Sequence, residues 1–148
     1  MADEGAVDFE KLARNAVTSR LAEAADAPAQ AAEIASLYII QAIKSPANAQ
    51  APGLVRGVCR GVASGMMFLM KDMPEAAIQI LLRMARIAQE VHLDPGNLMT
   101  WAMEGLADIA PIMGIQISGE IRDRIDEKFM GAGAVFSQLC DKARKSGS

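Results

Sequence analysis

Apolar positions recur with a helical period along nearly the whole chain. Phe9, Leu12, Ala13, Ala16, Val17, Leu21 and Ala24 share one face, with Glu10, Lys11, Arg14 and Glu23 mostly off it. Asp8 has the side chain to cap this first helix. Asp26 and Pro28 open a second, since proline is tolerated in a first helical turn. It runs to about Lys44, with Ile34, Leu37, Tyr38, Ile40 and Ile43 as its apolar side. Residues 45–53, SPANAQAPG, hold two prolines and a glycine without a helical period and read as an internal linker.

A third helix spans about 53–71. Asp72 and Glu75 have capping-box spacing and begin a fourth that continues to about His92. The turn Asp94-Pro95-Gly96-Asn97 caps a fifth, which carries Leu98, Ala102, Leu106, Ile109 and Met113 on one side. Pro111 is expected to kink its last turn and Gly114 to end it. Ser118 is expected to cap a sixth, in which Ile121, Ile125 and Phe129 are spaced by four. Gly131-Ala132-Gly133 is a break or a soft kink, beyond which Val135, Phe136, Leu139, Cys140 and Ala143 keep the period. Residues 1–7 and 144–148 read as disordered. No strand-like run and no internal repeat stands out. The expected fold is all-α: a single compact bundle of six to seven helices, with 1–148 as one domain.

Composition sharpens this picture. A chain of 148 residues fits one domain and can bury about 70% of its unfolded surface. Hydrophobic residues reach 51% and aromatics 4%, with a mean hydropathy of +0.16. An apolar excess of this size points to a subunit interface or a greasy pocket. The net charge of −3 argues against nucleic acid as the main partner, because phosphate binding needs a strong basic face. Cys59 and Cys140 offer neither a disulfide framework nor metal-ligand spacing. The acidic start MADEGAVDF lacks the features of a signal peptide, and no apolar run is long enough for a transmembrane helix. The expectation is a cytoplasmic protein.

The third helix carries the most information. Gly53, Gly57, Gly61 and Gly65 recur every fourth residue. At about 100° per residue, Arg56, Arg60, Ser64 and Lys71 form a basic strip and the glycines a bare one. Val55, Val58, Cys59, Val62, Ala63, Met66, Leu69 and Met70 form the apolar strip. Each interior glycine costs about 1 kcal/mol relative to alanine, so something must offset the row. It reads first as a seat for another helix of the bundle, next as a contact with a second copy, and last as a close approach by a flat ligand.

Met66, Met67, Met70 and Met73 cluster at the end of this helix. Unbranched thioethers fill irregular gaps and make adaptable surfaces. The wheel puts Met66 and Met70 on the apolar face and Met67 on the basic strip beside Lys71. One reading is core and interface. Another is a pocket for an amphipathic anion such as a fatty acid, with Lys71 or Arg60 as counter-charge. Arg56 and Arg60 are expected level with Arg86 in an antiparallel helix pair, either as an anion site or as a solvated face matched by acids such as Glu90. His92 sits at a helix C-terminus, where positive charge is favoured. Tyr38 and Trp101 are single anchors.

The chemistry of catalysis is sparse. One histidine cannot assemble a nucleophile–base–acid set, and no metal-ligand spacing or phosphate-binding loop signature occurs. The sequence calls for no cofactor and leans away from an enzyme. The leading expectation is a non-catalytic helical interaction or self-assembly module, present as a homo-oligomer. The alternative is a carrier or sensor for an apolar or amphipathic small molecule in a methionine-lined pocket.

Overall fold

Four aspartates set helix starts by the same hydrogen bond, a carboxylate accepting a backbone N–H three residues on. Asp8 accepts from Lys11 at 3.0 Å and Asp26 from Ala29 at 3.4 Å. Asp72 accepts from Glu75 at 3.2 Å and Asp94 from Asn97 at 3.0 Å. The computed structural model describes residues 7–45 and 50–146. These form α1 (Phe9–Arg20), α2 (Ala27–Lys44), α3 (Ala51–Phe68), α4 (Met73–Leu82), α5 (Met84–Val91), α6 (Pro95–Ala107), α7 (Ala110–Lys128) and α8 (Ala132–Ser146). Among the described residues there is no strand. The chain is an all-α bundle. One residue, Arg83, separates α4 from α5 and keeps right-handed helical angles; counted as one interrupted helix, the pair brings the total to seven.

Several boundaries differ from those the periodicity predicts. The first helix stops at Arg20 rather than Ala24. α3 starts at Ala51, inside the expected linker 45–53, with Pro52 in its first turn where no N–H is needed; residues 46–49 lie outside the described residues. The fourth predicted helix breaks at Arg83, whose N–H bonds back three residues to the Ile80 carbonyl at 3.1 Å, a local 3₁₀ tightening. The fifth ends at Ala107, and Pro111 opens α7 instead of kinking the helix before it. Gly114, at φ 86° and ψ 168°, breaks α7 without ending it, in a region open essentially to glycine alone. Ser118 is no cap: it lies inside α7, and its hydroxyl donates to the Gly114 carbonyl at 2.8 Å. The expected disorder from residue 144 is also corrected, because α8 runs to Ser146. Arg144 ties that end down by donating to Ser118 Oγ and the Gly114 carbonyl. Residues 1–6 and 147–148 lie outside the described residues.

α3 is the buried axis. Val55, Val58, Cys59, Val62, Ala63 and Met66 are all fully buried, and α1 and α6 are its principal neighbours. α1 runs in the same direction as α3, with Glu10 against Gly57 and Gly61, and Val17 against Gly65. A Cβ on Gly61 would collide with the Glu10 carbonyl oxygen, and one on Gly65 would lie 2.8 Å from Val17 Cβ. On the other flank, Gly105 of α6 faces the Arg56 carbonyl and Cys59. α7 and α8 form an antiparallel hairpin in which Gly133 sits 2.9 Å, at its absent Cβ, from the Arg122 carbonyl.

Close packing offsets the propensity lost at these glycines, and this separates two substitutions within one helix. Gly61→Ala drives a methyl into backbone and should destabilise by roughly 1–3 kcal/mol. Gly53→Ala meets nothing within 4 Å and should be neutral or stabilising by up to about 1 kcal/mol. Urea melts of the two variants check this; a stabilised Gly61→Ala would mean that α1 does not lie on the strip.

α3 and α5 end in Schellman turns that use non-glycine residues. The Lys71 N–H bonds the Met66 carbonyl at 3.0 Å and the Met70 N–H bonds that of Met67 at 3.1 Å, which puts Met70 at φ 58°. His92, at φ 60°, ends α5 with the Leu93 N–H bonding the Ala88 carbonyl at 3.1 Å and its own N–H bonding the same carbonyl. A left-handed conformation costs a non-glycine residue roughly 1–2 kcal/mol, and glycine loses about 0.5–1 kcal/mol in chain entropy. Met70 is solvent-exposed, so little packing is lost on its replacement. Met70→Gly should therefore raise stability by about 0.5–1 kcal/mol in thermal melts; a fall would show that the Met70 side chain matters where it stands.

Candidate functional site

Arg56 and Arg60 stand one turn apart on α3, on the flank where α1 and α6 converge. Arg56 grips Asp108 in fork geometry, Nε to Oδ2 and Nη2 to Oδ1, both at 2.8 Å. It also lies 3.9 Å from Glu104. Arg60 spans two helices. Its Nη1 donates to Asp108 Oδ2 at 2.9 Å, while Nε and Nη2 hold Glu10 at 2.9 and 2.7 Å. Asp108, the residue that ends α6, thus accepts three charge-assisted bonds with its side chain 15% exposed. Such fork pairs are the stronger kind of hydrogen bond. Hydrogen bonding to Asp108 raises the Arg56 pKa against the opposing effect of burial. For Arg60 the bond to Glu10 contributes most, again opposed by burial.

Arg56, Arg60, Glu104 and Asp108 form one wall of an open cleft of about 370 Å³, faced by Pro111, Leu139, Lys142 and Ala143. The charge on that wall is paired. Both guanidinium forks are turned onto carboxylates, so the site is built to hold three helices in register. The expected matching of these arginines with Glu90 is corrected: Glu90 pairs with Lys44 at 3.6 Å, and Arg83 pairs with Glu33. The reason is the glycine strip, which seats α1 beside α3 and brings Glu10 within reach.

The predicted site residues fall in different places. Met66 and Met73 are fully buried core residues. Met67 is half-buried against the core. Met70 is exposed, opposite to its place on the wheel, because the helix stops at Phe68 and the turn reverses the chain. Lys71 is half-buried, and Arg60 is committed to Glu10 and Asp108. The structure does not gather these six residues into one pocket. Of the glycines, Gly61 and Gly65 meet α1, Gly57 makes ordinary contact with Glu10 at 3.6 Å, and Gly53 is open. Tyr38 and Trp101 are half-buried against the core. Sequence reasoning missed Glu10, Asp108 and Gly105, which make the three-helix junction.

Burial pushes the Cys59 thiol up to about 12 and the Cys140 thiol up to about 11, far from thiolate chemistry. Among the described residues no group of His, Cys, Asp and Glu could hold a metal ion. Among the described residues no helix is long and apolar enough to cross a membrane. Compared with protein-family models, with curated proteins and with solved structures, the chain matches none.

Removing Asp108 should expose what the junction contributes. Asp108→Ala leaves two arginines without their shared partner and should cost about 1–2 kcal/mol, the partial exposure of the arginines reducing the loss. A double-mutant cycle of Asp108→Ala with Arg60→Met should show coupling of about 0.5 kcal/mol or more. Additive losses would contradict a working Arg60–Asp108 pair.

Proposed function

We propose that the chain is a non-catalytic helical module that assembles with a second copy of itself. The observation that supports this is the set of large apolar side chains left in solvent at helix ends. Phe68 is 78% exposed, Met70 89%, Ile112 66%, Ile115 79% and Met130 95%. Single exposed apolar residues are ordinary, whereas Phe68 with Met70 and Ile112 with Ile115 are pairs close in the chain that leave more apolar area in solvent, which favours association. The glycine row does not supply this interface, since Gly61 and Gly65 are covered by α1 within the same chain. Arg56 and Arg60 of the cleft are paired with carboxylates, which fits a structural role better than a reactive one.

A specific interface should bury above about 1,000 Å² in total. Sedimentation velocity should show a dimer or a larger species at micromolar concentration. One of two double substitutions, Phe68→Ser with Met70→Ser or Ile112→Ser with Ile115→Ser, should return the monomer. Substitutions at exposed positions should leave stability within about 0.5 kcal/mol. A wild-type monomer at high micromolar concentration would overturn the proposal.

A further inference from the structure

Glycines in the α-helices differ in what surrounds them. Gly61, Gly65, Gly105 and Gly133 are each pressed by a neighbouring helix, which accounts for the missing side chain. Gly119, in the middle of α7, is not. The nearest atom to a Cβ there would be Nη2 of Arg122 at 3.8 Å, the end of a flexible side chain. A mid-helix glycine weakens its helix, and packing does not offset it here. Gly53 and Gly114 are also open, but Gly53 lies in the first turn of α3 and Gly114 is accounted for by its φ of 86°. Glycine without a packing reason is used where a ligand comes close to backbone. Gly119 does line a cleft, of about 210 Å³, between α7 and α8.

Arg122, Arg144, Ser118 and Ser137 share that lining. We propose that this cleft binds a phosphate group, which approaches the α7 backbone over Gly119. Arg144 is already positioned for the task. Its Nη2 is fixed by Ser118 Oγ and by the Gly114 carbonyl, and Nη1 stands 3.8 Å from Asp141, beyond hydrogen-bond reach. Nε and Nη1 keep N–H groups that can each reach an anion singly, on opposite sides of the guanidinium. Arg122 is held only by its neighbour Asp123, at 3.0 Å, in an exposed pair, and such pairs are weak enough for a dianion to displace. Arginine forks match phosphate oxygens two at a time, and the Ser137 hydroxyl adds a donor. Asp141 is the one carboxylate in the lining, against two guanidinium groups. Ile115 forms an exposed apolar rim, so the group could be carried by a soluble phosphate ester or by a lipid headgroup.

The test is a titration of the full chain with inorganic phosphate, at constant ionic strength set by chloride, followed by amide NMR. Saturable shifts at Gly119 and Ser137 are expected. Arg122→Gln should weaken the apparent affinity by roughly tenfold, the loss of one charge-assisted contact. Arg122 is exposed and remote from the core, so the variant should fold. Gly119→Ala should raise the melting temperature yet weaken phosphate binding. Absence of saturable shifts, or shifts that Arg122→Gln leaves unchanged, would overturn the site. A parallel titration with dihexanoyl phosphatidic acid below its micelle concentration separates the sources. Tighter binding than inorganic phosphate, lost in Ile115→Ser, supports the site as one for a lipid headgroup; equal affinity supports it as one for a soluble ester. The inorganic phosphate titration and its Arg122→Gln and Gly119→Ala arms use no residue assigned to self-assembly; the Ile115→Ser arm is read at a concentration where the wild type is monomeric.

Discussion

Two helices can run side by side at close range only if one of them gives up its side chains along the contact. The rest of this fold depends on that constraint being met on α3. At three crossings a glycine faces a carbonyl of its neighbour: Gly61 the Glu10 carbonyl, Gly105 that of Arg56 and Gly133 that of Arg122. In each case the Cα–H that a side chain would replace is aimed at the partner backbone, the geometry of weak Cα–H···O contacts. Individually these are worth little. Their main effect is to let apolar neighbours such as Val17, Val58 and Val62 reach full burial, where the larger hydrophobic gain lies.

The ion network follows from the same crossings. Glu10 reaches Arg60 because α1 lies on the glycine strip, and Asp108 reaches both arginines because Gly105 brings α6 against α3. Exposed ion pairs contribute little alone. Here five charged side chains on three helices share forks and a common acceptor, so they fix register more than they add stability. Apolar packing tolerates sliding by a fraction of a turn, while a fork on a carboxylate does not. The two devices are complementary: glycine permits closeness and arginine selects one alignment within it.

Much of the fold was legible because it is written in local rules. The aspartate caps at Asp8, Asp26, Asp72 and Asp94 need only the next three residues, and the apolar period needs only neighbours. Ends set by distant contacts were not legible. α8 continues to Ser146 because Arg144 bonds across to α7, 26 residues away, and Met70 leaves the apolar face because a Schellman turn ends α3 first. The glycine row could be seen, but not which helix would lie on it. Gly105 gave no signal, being a single glycine whose meaning comes from a carbonyl 49 residues earlier. For the same reason Arg60 could be singled out while its partners Glu10 and Asp108 could not: charge pairs across helices are decided by crossing geometry, which one sequence does not specify. The methionine cluster misled, since a thioether on a wheel has the same appearance in core, surface or pocket.

The account rests on α1 and α6 gripping α3 through its backbone, and nuclear Overhauser effects read that contact directly. Val17 Cγ1 would stand 2.8 Å from a Cβ on Gly65, and Cys59 Cβ 3.0 Å from one on Gly105. Strong cross-peaks are therefore predicted between the Gly65 Hα protons and the Val17 methyls, and between the Gly105 Hα protons and the Cys59 Hβ protons. Absence of both sets, in a protein whose other helix–helix contacts are seen, would show that α3 is packed by its side chains alone and would contradict the account.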